Sequence, residues 1–204
     1  MYGYLTYLWS MNSEIVAKND LRVLFEGFQR SGGDELGLIP RYLELLLRSP
    51  DCARREHFEP GHLTGSAWVV NRAGDKVLLL HHAKLNRWLQ PGGHADGEFN
   101  LAAVALREVE EESGLSSLVL LYPGIFDVDI HEIPARANEP AHLHFDVRFV
   151  IQADESEPLV LSEESNALAW VELSKLPTFT KEESVLRMRR CWEAANPQMF
   201  ASLY

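Results

Sequence analysis

Cysteine is scarce in this sequence. Cys52 and Cys191 stand far apart and match no metal-binding or redox spacing. That excludes a disulfide-rich secreted scaffold while leaving a single bridge open, and the expectation is two reduced, mostly buried thiols in a cytoplasmic protein. Positive charge is scarce too: 19 Lys and Arg face 30 Asp and Glu, a formal net charge of −11. Such a chain lacks the surplus of cations that displaces counterions from a long nucleic acid, so none is expected as a partner. Long apolar runs are missing as well. The opening MYGYLTYLWSMN is apolar and aromatic, yet shorter than the roughly 20 residues a bilayer span needs, and it has neither a basic n-region nor a small-residue cleavage site. No membrane partner is expected, and Met11 competes with Met1 as the start. There is no internal repeat and no low-complexity stretch. What is there is ordinary for a globular chain, 46% hydrophobic and 24% charged over 204 residues, enough for one domain with an appendage.

Periodicity divides the chain near residue 58. From about Ser13 to Gln29, Leu21, Leu24, Phe25 and Phe28 fall at helical spacing, and Ser31-Gly32-Gly33 ends the pattern. A second helix is predicted from about Pro40 to Arg48, with Pro40 in the first turn. Residues 1–58 thus read as a helical N-terminal extension or cap, and 59–204 as the main domain. Strands are expected over Thr64–Asn71 and Lys76–His81, with Arg72-Ala73-Gly74-Asp75 turning between them, then over Phe126–Ile133, His142–Ile151 and Leu168–Glu172. A final helix is predicted near Thr180, where Thr180 and Glu183 have capping-box spacing.

The strongest local signal is Pro91 to Leu115, PGGHADGEFNLAAVALREVEEESGL. Asn100 suits the start of a helix and Gly114 its left-handed end. Ala102, Ala105, Leu106 and Val109 are expected to form the buried stripe, with Glu108, Glu111 and Glu112 together to one side of it. Carboxylates at i, i+3 and i+4 repel one another, and they sit at the end of the helix where its dipole disfavours negative charge. Few cations are near in sequence beyond Arg107. Hard divalent ions, Mg²⁺ or Mn²⁺, favour such clustered oxygens. A solvated acidic face is the competing explanation, and it is weakened by the Gly92-Gly93 loop, whose bare backbone admits a ligand or metal closely.

Gly93 followed by Arg107-Glu108-Val109-Glu110-Glu111-Glu112-Ser113-Gly114-Leu115 resembles the Nudix box, G-x5-E-x7-R-E-U-x-E-E-x-G-U, where U is aliphatic. The second half matches at every specified position. One position departs: Phe99 stands where the first Glu belongs, with Glu98 one residue earlier. The resemblance implies an α/β class protein, a Nudix-type α/β/α sandwich with a mixed sheet, over the main domain. It also implies metal-dependent hydrolysis of a nucleoside diphosphate linked to another moiety, such as ADP-ribose or a nucleotide sugar. Glu108, Glu111 and Glu112 would then be metal ligands, with Gly92 or Gly93 adding a carbonyl, and Arg107 would orient a carboxylate.

Two further stretches alternate polar and apolar residues, as a strand with one core face does. Asp127, Asp129 and His131 alternate with Phe126, Val128 and Ile130; His142, His144 and Asp146 alternate with Leu143, Phe145 and Val147. Residues 134–141 link them, so an antiparallel hairpin would merge the two polar sets. Asp129, His131, His142 and Asp146 are candidate substrate contacts, with Arg136 a candidate phosphate clamp on the connecting loop. His142 and His144 read either as solvated sheet residues or as a site for phosphate or base recognition, proton transfer or a second metal. His57, His62, His81 and His82 show no such alternation and read as structural. Trp88 and Trp170 read as core anchors. Glu163 and Glu164, in the loop before Trp170, are candidates for metal contact or general base by analogy with related enzymes, alongside an ordinary surface role.

Three functions compete. In the first, a pyrophosphohydrolase, the carboxylate helix holds metal and Glu112, Glu164 or His144 takes the proton from the attacking water. In the second, a catalytically inactive nucleotide-binding or regulatory module, the three costly carboxylates have no evident purpose. The third, a related prenyl-diphosphate isomerase, needs an active-site thiol, and neither cysteine lies near a recognisable motif. The N-terminal helices could cap the cleft, shape substrate choice or form a homodimer interface.

Overall fold

The computed structural model describes residues 17–136 and 139–195. The opening apolar segment with its two candidate starts, positions 13–16 where the first helix is expected to begin, and positions 137–138 of the link between the two polar strands lie outside them. Helix α1 covers 17–30 and α2 Ile39–Arg48. Strands β1 (Gly61–Asn71), β2 (Lys76–His82), β3 (Arg87–Leu89) and β4 (Gly92–His94) precede α3 (Leu101–Ser113). Then come β5 (Val119–Leu120), β6 (Asp127–Ile133), β7 (His142–Ala153), β8 (Ser165–Glu172), a 3₁₀ turn, the short α4 (Leu176–Phe179) and α5 (Glu183–Ala194). The fold is therefore α/β. Its strands share one sheet in the order β3-β2-β1-β7-β5, with β4 beside β1, β6 beside β7 and β8 beside β2. No helix among the described residues is long and apolar enough to cross a membrane.

The chain forms two compact units, each assembled from segments distant in sequence. The first takes residues up to Thr64 together with His94–Leu101 and Val128–Asp146; the second takes Gly65–Gly93, Ala102–Asp127 and the chain from Val147 onward.

In the first unit, α2 buries Ile39, Tyr42 and Leu45. Asp34 caps its start, accepting the backbone N–H groups of Leu38 and Ile39 at 2.7 and 3.1 Å. That leaves Pro40, which has no N–H to satisfy, in the first turn. The Tyr42 ring packs between Phe25 of α1 (centroids 4.8 Å apart) and Phe145 of β7 (5.4 Å, edge to face). Its hydroxyl lies 2.7 Å from the carbonyl oxygens of both Asp129 and Asp146, so one phenol ties α2 to two strands.

In the second unit, β1 and β2 form the expected hairpin, with Val70 opposite Val77. Asn71 shapes the turn: its Oδ1 accepts the N–H groups of Asp75 and Lys76, both at 3.1 Å. β2 also pairs antiparallel with β8, from Lys76 opposite Glu172 to His82 opposite Ser165. Trp68, Leu79, Val150, Met188 and Trp192 are among the buried core, and Trp88 packs against them half-buried, as an anchor should. Trp170 is partly buried in β8. Helix α5 begins at Glu183 with Glu182 at its cap position and no side-chain capping bond. The capping box expected from Thr180 and Glu183 does not form. Thr180 Oγ1 accepts the N–H of Glu182, and Glu183 pairs with Arg190 one face along the helix.

Asp127 also departs from expectation. It lies buried, not on a polar strand face, and its carboxylate is held by two guanidinium groups. Arg148 Nη1 donates to Oδ2 at 2.8 Å, while Arg187 donates from Nε to Oδ1 (3.0 Å) and from Nη2 to Oδ2 (2.8 Å). This clamp joins the start of β6, the middle of β7 and α5 in the second unit. A buried pair that loses one member strands the other's charge, at a cost of about 3–5 kcal/mol. Asp127→Asn, close in shape but uncharged, is expected to lower unfolding free energy by that amount in urea denaturation; a loss below about 1 kcal/mol would mean the clamp behaves like a surface pair.

Candidate functional site

Helix α3 carries the first site. Its buried apolar residues are Leu101, Val104, Ala105 and Val109, with Ala102 and Leu106 only partly buried. The stripe is thus rotated from the one expected. At about 100° per residue, Glu112 falls near the centre of this buried face, with Glu108 beside it and Glu111 at its edge. The rotation explains a burial pattern that three equivalent acids would not give: Glu112 is 8% exposed, Glu108 is largely covered and Glu111 stands in solvent. Gly114 ends the helix in the left-handed conformation, φ 73°.

The glycine loop and the carboxylates fit one another. The backbone N–H of Gly92 donates to Glu112 Oε2 at 2.9 Å. A Cβ on Gly93 would stand 2.5 Å from Glu108 Cδ, so only glycine lets the carboxylate lie this close to the loop. Arg107 Nη2 donates to Glu108 Oε1 at 2.8 Å, and its Nε lies 3.9 Å from Glu111 Oε1.

Burial pushes the Glu112 carboxyl up to about 8, against the Gly92 hydrogen bond, and the negative charges of Glu108, Glu164 and Glu111 push it further the same way. Burial also raises Glu108; Arg107 opposes the shift, while Glu111 and Glu164 add to it. Glu164 is thus within electrostatic reach of both, brought there by the loop before β8, whose Glu164 carbonyl accepts the N–H of Ala83 at 2.9 Å. Glu163 is exposed, and nothing ties it to the acid cluster. Four acids sharing one region, Glu112 buried and Glu108 largely covered, with a bare backbone loop beside them, are the donor set that hard divalent ions such as Mg²⁺ or Mn²⁺ favour. The residues fit such an ion.

Glu98 and Phe99 resolve the departure in the motif. Phe99 is 4% exposed, and the Lys18 ammonium sits over its ring, 5.0 Å from the centroid. Glu98 Oε1 accepts the N–H of Asn100 at 2.7 Å, at the entry to α3. The position that the motif gives to an acid serves here as an apolar anchor in the first unit.

The first unit gathers histidines. His62, His142 and His144 have ring nitrogens within 4.8 Å of one another. The His94 ring lies 5.1 Å from that of His62 and 5.2 Å from that of His144, and the His131 ring 5.4 Å from that of His144. Burial lowers His144 to about 2 and His62 to about 4, assisted by neighbouring imidazoles; it lowers His94 as well, assisted by Arg55. These rings are neutral at physiological pH. His131 Nδ1 lies 3.1 Å from Asp129 Oδ2 at the exposed side. Asp146 is 2% exposed and accepts the Thr64 hydroxyl at 2.9 Å, so its carboxylate faces the interior of the unit. Arg136 is exposed, its backbone bridging to Glu139 across the loop tip. Of the residues singled out from sequence, His142 and His144 therefore come together, and they meet His62, which had read as structural. Its only sequence signal was its place at the start of a strand after Pro60-Gly61. Cys52 is buried and Cys191 half-buried on α5, both as thiols.

The family model described as "NUDIX domain" matches residues 61–190. A protein of Lactococcus lactis subsp. cremoris named "Probable DHNTP pyrophosphohydrolase" is 29% identical over 140 residues, covering 67% of this chain and 74% of that one. Among solved structures, a NUDIX-family hydrolase from Clostridium perfringens is similar with TM-score 0.50 and 24% identity, over 66% of this chain and 98% of the other. A C. elegans Ap4A hydrolase in a binary complex gives TM-score 0.50 and 18% identity, over 65% and 95%. These structural likenesses concern the fold.

The shifted Glu112 carboxyl has a consequence for stability. Its folded-state value, about 8, lies above the ordinary 4.5, so the folded protein binds this proton more tightly than the unfolded chain does. The contribution is fully present below pH 4.5 and is lost as pH rises through 8. In metal-free protein, the stability of wild type relative to Glu112→Gln is expected to fall between pH 5 and pH 8.5 by an amount on the order of a few kcal/mol, read from urea melts at each pH. A difference that does not change with pH would mean that Glu112 is not held protonated.

Proposed function

Because this chain belongs to the NUDIX family, we propose that its α3 site hydrolyses a phosphoanhydride bond in a nucleoside diphosphate linked to another moiety. The family acts on small nucleotide substrates with divalent metal ions, and the chain is a pyrophosphohydrolase of that kind. The observation that carries the reading at residue level is the crowding of Glu108, Glu111, Glu112 and Glu164 around the bare Gly92-Gly93 loop, with Glu112 forced to about 8.

In this reading Glu108, Glu111 and Glu112 hold Mg²⁺ or Mn²⁺, with a carbonyl of Gly92 or Gly93 completing the set. When bound, the ion neutralises the diphosphate and lowers the pKa of a water molecule. Arg107 fixes the Glu108 carboxylate in place. Glu164 takes the proton as the water oxygen bonds to one phosphorus in line; the bridging P–O bond breaks and the other phosphate leaves with its electron pair. Residues 59–204 form the catalytic domain and residues 1–58 its helical extension. Asp129, His131, His142 and Arg136 remain candidates for contact with the substrate's other moiety. His144, now placed in the imidazole cluster of the first unit, ranks behind Glu164 as the base. The substrate panel includes ADP-ribose and nucleotide sugars, and also DHNTP, after the name of the Lactococcus relative.

The test is phosphate-product release across that panel with Mg²⁺ and Mn²⁺ separately. Glu111→Gln and Glu112→Gln are expected to abolish turnover, and Arg107→Gln to lower kcat by about 10–100-fold, as loss of an outer-shell partner does. Turnover surviving both glutamate variants would overturn the assignment; binding without turnover in wild type would favour a regulatory module.

A further inference from the structure

The Mg²⁺ or Mn²⁺ reading draws its ligands from carboxylates and takes none from the clustered imidazoles. We propose that His62, His142 and His144 form a binding site for one late first-row divalent ion of the zinc type, different in ligand chemistry from the carboxylate helix.

The three rings reach one another because of local backbone features. Gly61, at φ 152°, begins β1 directly against Leu143, where a Cβ would run into the Leu143 backbone. The Leu143 N–H donates to the Pro60 carbonyl at 3.0 Å. His62 is thereby set beside the residue that separates His142 from His144, and the alternation of β7 points both of those rings the same way. Phe58 closes on the His142 ring, with centroids 5.1 Å apart.

The hydrogen bonds suit metal ligation. His62 Nδ1 lies 3.2 Å from the His57 carbonyl oxygen, and His142 Nδ1 lies 2.8 Å from the Pro140 carbonyl oxygen. A carbonyl only accepts, so each Nδ1 carries the proton and each Nε2 keeps its lone pair. Ligating histidines commonly have this arrangement, the far nitrogen donating to a backbone carbonyl. His62 Nε2 is moreover a buried polar atom with no hydrogen-bond partner, on a residue only 1% exposed. A buried nitrogen without a partner is costly. The partnerless His62 Nε2, with ring nitrogens of the two further imidazoles within 4.8 Å, supplies what a borderline-soft cation takes. Bonds of about 2.0–2.1 Å put tetrahedral donors about 3.4 Å apart, so ring rotations that close the present separation of up to 4.8 Å complete the site. Three imidazoles leave a fourth tetrahedral position, with His94 beside it. Mg²⁺ prefers oxygen and has little affinity for such a set.

The experiment uses the full chain, stripped with chelator and then equilibrated with Co²⁺ in excess Mg²⁺, which occupies the carboxylates. One equivalent of Co²⁺ is expected after dialysis, with tetrahedral-type visible bands. Proton NMR is expected to show hyperfine-shifted, exchangeable imidazole N–H signals, the slowest to exchange coming from His62 and His142. Both signatures should vanish in His62→Asn and His142→Asn and persist in Glu111→Gln. Absence of shifted N–H signals in wild type overturns the proposal, as does a band that survives either histidine variant. Should the histidine variants fail to fold by circular dichroism, the wild-type NMR signals decide alone.

Discussion

Glu112 is a carboxylate on the buried face of a helix, given one backbone hydrogen bond and surrounded by other acids. Nothing in the packing of α3 compensates it: an apolar residue there would serve the core better and would not repel Glu108 and Glu164. Everything around the site follows from accommodating it. Gly92 supplies the N–H, Gly93 gives up a side chain so that Glu108 can lie alongside, and Arg107 neutralises Glu108 in part. The remaining deficit is one of positive charge, and a divalent ion removes it most directly.

The molecule deals with buried polar groups in three chemically distinct ways. Asp127 is matched inside the protein by Arg148 and Arg187, so it asks nothing of a ligand. The α3 acids are left under-matched, which suits a hard cation. In the first unit, burial holds the His62 and His144 rings neutral and His142 lies close to both, which suits a softer one. Charge balance within each cluster separates the structural site from the two that call for a ligand, and it does so more sharply than residue type, since Asp and Glu appear in both kinds.

What was legible in the sequence was local. The spacing of Glu108, Glu111 and Glu112 and the turn at Asn71–Asp75 each need only a few consecutive residues. What was not legible depends on contacts between distant segments. His62 joins His142 across 80 positions because Gly61 packs on Leu143, and Asp127 finds Arg187 because α5 comes back to the start of β6. The α3 stripe was placed one step off for a related reason: Leu101 and Val104 are as apolar as Leu106, and only packing decides which row is buried. The capping box at Thr180 failed because Thr180 closes the preceding turn, using its hydroxyl on Glu182 before the helix begins.

Phe99 shows how a departure from a family motif can be read physically. An acid at that position would sit just before the start of α3, where the helix dipole favours negative charge. The buried phenyl ring under Lys18 instead gives the first unit an apolar anchor, and Lys18 in turn donates to the carbonyls of Ser49 and Pro50 just beyond α2. Tyr42 acts in the same unit, holding α2 to the carbonyls of Asp129 and Asp146 on the two strands that carry His131, His142 and His144. The helices that precede the matched family segment are therefore built into the walls around the imidazoles. A change at Tyr42 bears on the strands that carry those rings, whereas the α3 carboxylates take their supporting contacts from Gly92, Gly93 and Arg107 in the other unit.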